Sequence, residues 1–136
     1  MSKDFEQLSI KPGYMNHNGG LLFREISKHE YEFKTTIKKN HLNTAGITHG
    51  GYIASIIDAG AGTGAHRAAD NFPCVTISLD IKFFAATKLG DEIVGFTKIQ
   101  RKTKSLVFLI CHLESNGKMM ASASGIWKIL KQNPLT

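Results

Sequence analysis

His49-Gly50-Gly51-Tyr52-Ile53-Ala54-Ser55-Ile56-Ile57-Asp58 is the stretch around which the chain is organised. Its two glycines read as a helix start. They permit close backbone approach, and their N–H groups fall among the donors that no preceding turn can satisfy. The helix dipole adds positive potential at the same place. Ile53, Ile56 and Ile57 recur at three- and four-residue spacings, as one buried helical face requires. Asp58 follows about two turns beyond the glycines. A carboxylate in an isoleucine-rich run needs a reason, because burying an unpaired charge is costly. Ala54, Ala59, Gly60, Ala61, Gly62, Gly64 and Ala65 keep the rod thin. Each glycine costs about 1 kcal/mol of helix propensity against alanine. A helix that stopped at Gly60 would avoid that cost. The better reading is a thin, fully enclosed helix closely approached by a sheet, with polarity restored at His66, Arg67 and Asp70.

Upstream, residues 1–19 are polar and glycine-punctuated, with a turn at Pro12-Gly13 and a short helix near Phe5 to Leu8. Gly20 to Ile26 suits a strand and Ser27 to Glu30 a turn. Tyr31, Phe33, Thr35 and Ile37 then alternate with Glu32, Lys34, Thr36 and Lys38, the period of a half-buried strand that can pair as a hairpin. Asn40 to Thr48 is a loop carrying Asn43 and Gly46. Downstream, Val75, Ile77, Leu79, Ile81 and Phe83 alternate with Thr76, Ser78, Asp80 and Lys82, the clearest strand in the chain. Ala85 to Gly90 makes a turn. Asp91 to Lys102 and Ser105 to Glu114 are two more strands, and Asn116-Gly117 is a hairpin signal leading into a last strand, Lys118 to Leu130. A polar tail containing Pro134 follows. Two strands, one long helix and four consecutive antiparallel strands give an α+β class, a single antiparallel sheet against a single helix. One domain over 1–136, with its core at about 20–130, is expected.

The length of 136 residues suits one domain with a real core. A formal net charge of +6 favours an anionic partner such as a nucleotide, or serves solubility alone. Nucleic-acid binding would interleave aromatics with the basic residues, whereas the aromatics here sit mainly at strand-core positions. Cys74 and Cys111 are too few for a disulfide framework and read as buried thiols in a reducing compartment. His17, His29, His41, His66 and His112 lack metal-ligand spacing. Neither a signal peptide nor a bilayer-length apolar run is apparent, so a cytoplasmic location away from membranes is expected.

The combination of Asn43, Gly46, His49-Gly50-Gly51 and Asp58 resembles the hotdog-fold acyl-CoA thioesterases, in their phenylacetyl-CoA-type, thioesterase superfamily branch. The likeness runs from about Phe23 to Ile129. It implies a sheet wrapped around one long central helix and hydrolysis of an acyl-CoA to the free acid and coenzyme A, with no metal and no cofactor beyond the substrate. The same resemblance implies that the Gly50 N–H polarises the thioester carbonyl, assisted by Asn43. His49 would orient the loop or contact the thioester, and Asp58 would act as base or nucleophile. Thr76 would help to hold the attacking water. Gly51 and Phe83 would contact substrate, and the basic run Arg101, Lys102 and Lys104 with Ser105 would receive the coenzyme A phosphates, or is a solvated turn. Relatives often place a proline where this chain has Ala85-Ala86, a departure that bears on the pantetheine channel. Hotdog dehydratases carry a histidine before a Pro-Gly pair, which is absent here.

The chemistry also constrains the assembly. Hydrolysis needs donors for an oxyanion and a base or nucleophile. Eight helical residues separate Gly50 from Asp58 by roughly 12 Å, too far for one carbonyl carbon to touch both. If both act in one site, one must come from a second chain, and two antiparallel helices in a two-fold dimer would do this. A homodimer is therefore expected, and by family habit a dimer of dimers. Two alternatives differ in chemistry: a non-catalytic acyl-CoA-binding module, and an enoyl-thioester hydratase that would act on crotonyl-CoA without releasing thiol.

Overall fold

The structure, a computed structural model, describes residues 3–131. The elements are β1 (Glu6–Leu8), α1 (Tyr14–His17), β2 (Leu21–Ser27), β3 (Glu30–Thr36), a single 3-10 turn at Lys39–His41, α2 (Gly50–Ala68), β4 (Cys74–Phe83), β5 (Glu92–Lys102), β6 (Leu106–Ser115) and β7 (Lys118–Ile129). All seven strands form one antiparallel sheet in the order β1-β2-β3-β5-β6-β7-β4. β4 does not pair with β5, its successor in sequence. It crosses to the far edge and pairs with β7, while β5 pairs with β3. Asn116 and Gly117 both have positive φ, 53° and 74°, the backbone a two-residue hairpin turn requires.

α2 lies on the sheet through Ile53, Ile56, Ile57, Ala61 and Ala65, all essentially inaccessible. Its small residues answer the aromatics of the facing strands. A Cβ at Gly60 would stand 2.4 Å from the Phe33 ring, and one at Gly95 of β5 would stand 2.2 Å from the same ring. Phe33 is therefore gripped between helix and sheet and has no room to retreat. Gly64 meets Tyr31 and Gly62 meets Trp127 in the same way, at 2.9 and 3.1 Å. Gly60→Ala is accordingly expected to destabilise by about 1–3 kcal/mol in urea unfolding, although helix propensity alone would favour alanine.

Three expectations need correction. Phe5 to Leu8 is not a helix: Glu6, Gln7 and Leu8 pair with Phe23, Leu22 and Leu21, because the free edge of β2 offers the segment backbone partners that a single turn could not. A short helix follows instead at Tyr14–His17. The long helix is also not fully enclosed. The sheet stops at β4 on one side and at the N-terminal segment on the other, which leaves a stripe of α2 open. Along it Gly51 and Asp58 are exposed, and Ala54, Ser55, Ala59 and Gly62 are half-buried. Asp58 therefore escapes the burial that made it look costly. The polar tail with Pro134 lies outside the described residues.

Cys111 belongs to the core. Burial pushes its thiol up to about 12. Cys74, partly buried at the start of β4, is raised by burial too. Among the described residues no helix is long and apolar enough to cross a membrane.

Candidate active site

The helix start is built by short-range bonds on both sides of it. Asn43 Oδ1 accepts from the N–H groups of Ala45 and Ile47, at 2.9 and 3.3 Å, and its backbone exchanges hydrogen bonds with Ile47 and Gly46. The amide oxygen is thus spent on the loop, which turns the NH₂ end of Asn43 into its remaining donor. Thr48 then clamps the loop to the β4–β5 connection. Its N–H and its hydroxyl both donate to the Thr87 carbonyl, and the Thr87 hydroxyl donates back to Thr48 Oγ1 at 2.7 Å.

His49 is the N-cap of α2. Its Nδ1 accepts from the Gly51 N–H at 2.7 Å, which leaves the ring proton on the exposed Nε2. Of the two glycine amides named in advance, Gly51 is therefore consumed. Gly50 is not: among the described residues its N–H has no acceptor, and it lies exposed at the first helical position. That is one open donor at the positive end of a helix of 19 residues.

A second layer fixes this corner from beneath. His41 is buried, accepts from the Lys38 N–H at Nδ1 and faces the Asn18 carbonyl with Nε2 at 2.9 Å. Its ring stacks on Tyr52 with centroids 3.7 Å apart, and the Tyr52 hydroxyl meets Thr35 at 3.0 Å. The His41 carbonyl in turn accepts from the His49 N–H at 2.8 Å. His41 thus supports the site from the core.

Asp58 sits two turns along, on the open stripe. The Thr76 hydroxyl donates to its Oδ1 at 2.5 Å. Thr76 stands next to a β-bulge: the pairing with β7 skips from Thr76 to Ser78, so Ile77 is the extra residue. Bulges of this kind re-aim neighbouring side chains. The structure therefore joins Asp58 to Thr76 and keeps both apart from Gly50 of the same chain.

Phe83, at the other end of β4, lies over Gly50, with ring atoms 3.8 Å from where a Cβ would be. Together with Ile47, Ala85, Ala86, Thr87 and Met120 it lines a cleft of about 310 Å³ beside the helix start. The Ala85-Ala86 turn forms part of that wall. Arg101, Lys102, Lys104 and Ser105 are elsewhere. The sheet register runs Thr76–Trp127–Val107–Lys102, so the basic hairpin shares a row with Thr76. Phe83 belongs to the row of Ala121, Leu113 and Gly95. Within one chain the hairpin is grouped with Asp58 and is distant from Gly50.

Sequence reasoning missed Tyr14, Ser55 and the Thr48–Thr87 clamp. These pairs are separated by about forty residues, and no local pattern joins them.

Comparison with known proteins bears on the family and the fold. The thioesterase superfamily profile matches residues 45–121, a segment that holds the helix start, Asp58, Thr76 and Phe83. Mouse acyl-coenzyme A thioesterase 13 is 28% identical over 87 residues, which is 62% of either chain. Zebrafish thioesterase superfamily member 2 superposes with a TM-score of 0.80 at 20% identity, over 89% of both chains. A hypothetical thioesterase protein of Streptococcus pneumoniae, solved with coenzyme A, superposes with a TM-score of 0.77 at 17% identity, over 95% of this chain and 98% of its own. The sheet order, the single long helix and these superpositions make this the hotdog fold. With the profile covering more than half of its residues, the chain belongs to the thioesterase superfamily.

Proposed function

We propose that the chain is an acyl-CoA thioesterase whose site is completed by a second copy of itself. The observation that carries this reading is the Asp58–Thr76 pair held on the open stripe of α2. The side chain faces outward, and the Thr76 bond occupies one of its two oxygens. The names of the mouse relative and of the coenzyme A-bound neighbour favour the same substrate class.

Water held by the free oxygen of Asp58 and by Thr76 Oγ1 attacks the thioester carbonyl carbon and gives a proton to Asp58. The Gly50 N–H, assisted by the Asn43 amide, stabilises the oxyanion. Collapse breaks the C–S bond, and the thiolate recovers the proton from Asp58. Water and thioester are thus converted to acid and thiol, with Asp58 restored.

The roughly 12 Å between Gly50 and Asp58 requires these roles to be divided between protomers. β4 is a free edge of ten residues with Val75, Ile77 and Phe83 exposed, a surface made for pairing with another strand. Thr76 marks the level of Asp58 and Phe83 the level of Gly50. Antiparallel pairing of β4 with its copy, Thr76 opposite the partner's Phe83, brings the two half-sites together. The two-fold axis then falls between Leu79 and Asp80. In that arrangement Lys102 stands four strand spacings, about 19 Å, from the partner's Phe83. Such a span suits a phosphate group at the far end of a pantetheine arm.

Thiol release from short, medium, long and aryl acyl-CoAs tests the function, and hydration of crotonyl-CoA without thiol release would replace it with a hydratase. Substituting Lys102 and Lys104 together by alanine is expected to raise KM for acyl-CoA several-fold at low salt. KM for the same acyl group on N-acetylcysteamine, which has no phosphates, should stay unchanged. An equal rise for both would return the hairpin to the role of a solvated turn.

A further inference from the structure

We infer that Tyr14 sets the length of the acyl group, as the closed end of the acyl side of the site. This rests on the thioesterase reading above and goes beyond it to a residue outside the matched segment 45–121.

The N-terminal segment is a strap laid along the open stripe of α2. At one end β1 pairs with β2, and Glu6 bonds Arg67 near the end of the helix. At the other, the Asn18 carbonyl is held by the buried His41. Between them Asn16 Nδ2 donates to the carbonyls of Ser9 and Ile10, and Asn18 Nδ2 to that of Tyr14. This cross-tying presents Tyr14 to the helix. The residue is 63% exposed, yet its hydroxyl is anchored 3.1 Å from that of Ser55. An anchored aromatic side chain this exposed has surface left for a ligand.

Its position fits an acyl wall. Ser55 lies four residues after Gly51 and three before Asp58, on the same face of α2. Two paths leave the Gly50 N–H. One is the cleft of Ile47, Phe83 and Thr87, on the β4 side, where the partner's basic hairpin would also lie. Coenzyme A takes that path, towards the cations. The acyl group is left the other path, along the stripe, and that path ends on Tyr14.

The test compares kcat/KM across saturated acyl-CoAs from acetyl to palmitoyl for the full chain and three variants. Tyr14→Ala opens the end and is expected to raise the long-to-short preference at least tenfold, the scale on which a pocket discriminates by methylene groups. Tyr14→Trp should move the preference the opposite way. Tyr14→Phe keeps the ring but loses the hydroxyl that ties it to Ser55, and should shift the profile the same way as Tyr14→Ala by a smaller factor. Opposite shifts cannot arise from general damage to the fold. An unchanged profile in both Tyr14→Ala and Tyr14→Trp, or one common factor lost at every length, overturns the inference while wild-type turnover leaves the thioesterase reading standing. Absence of thiol release by the wild type at every length overturns both.

Discussion

Asp58→Asn is expected to lower kcat by about 10²–10⁴-fold, the range over which a positioned general base acts. The fold should not register the change. The side chain is exposed, and asparagine keeps the Oδ1 that Thr76 donates to. Unfolding free energy should stay within about 0.5 kcal/mol of wild type. KM should also change little, because the carboxylate acts on water in the transition state and leaves ground-state binding alone. Thr76→Val, which removes the hydroxyl and keeps the shape, should cost less than Asp58→Asn. Full turnover by the asparagine variant would remove Asp58 from the mechanism. A matching loss of stability would recast it as a structural residue.

Much of this was legible because it is local. The isoleucine spacing of α2, the period of two in β3 and β4 and the Asn116-Gly117 turn each follow from residues within a few positions of one another, and the elements stand close to where those patterns put them. The Gly60, Gly62 and Gly64 run was legible as close approach, since helix propensity offers it no other explanation. What escaped depends on tertiary position. Nothing in the alternation of β4 announces that it will sit at the sheet edge and leave half of its apolar residues outside, because the same pattern serves an interior strand. Asp58 looked buried because its sequence neighbours are. At 100° per residue, however, Ile56 and Ile57 can face the sheet while Asp58 faces away. That Gly51 would lose its amide to the helix cap was not legible either. Which amide stays open is decided by the rotamer of His49, and a sequence does not display rotamers.

Gly50→Pro separates the oxyanion donor from every other function of the helix start, and is expected to lower kcat by about 10²–10³-fold. Proline suits the first position of a helix, where no intrahelical acceptor exists for the N–H it lacks. His49 before it already has φ −64° and ψ 133°, the extended backbone a following proline requires, and only the Phe83 ring stands near, at 3.8 Å. The variant should therefore fold as wild type does. Combined with Asp58→Asn it decides whether the site is shared. Each variant alone inactivates both sites of a dimer. In a mixed dimer, one site pairs Gly50 of the Asp58→Asn chain with the intact Asp58 of the Gly50→Pro chain, while the other site carries both lesions. Unfolding the two variants together and refolding them at equal concentration should form mixed dimers in about half of the molecules, each with one working site. About a quarter of wild-type turnover should then return from two preparations that are nearly inactive separately. A site contained within one chain cannot give that result, because each chain would keep its own lesion. Mixed dimers that form, as shown by differently tagged copies purifying together, yet recover no turnover would place Gly50 and Asp58 in separate sites or outside the chemistry altogether.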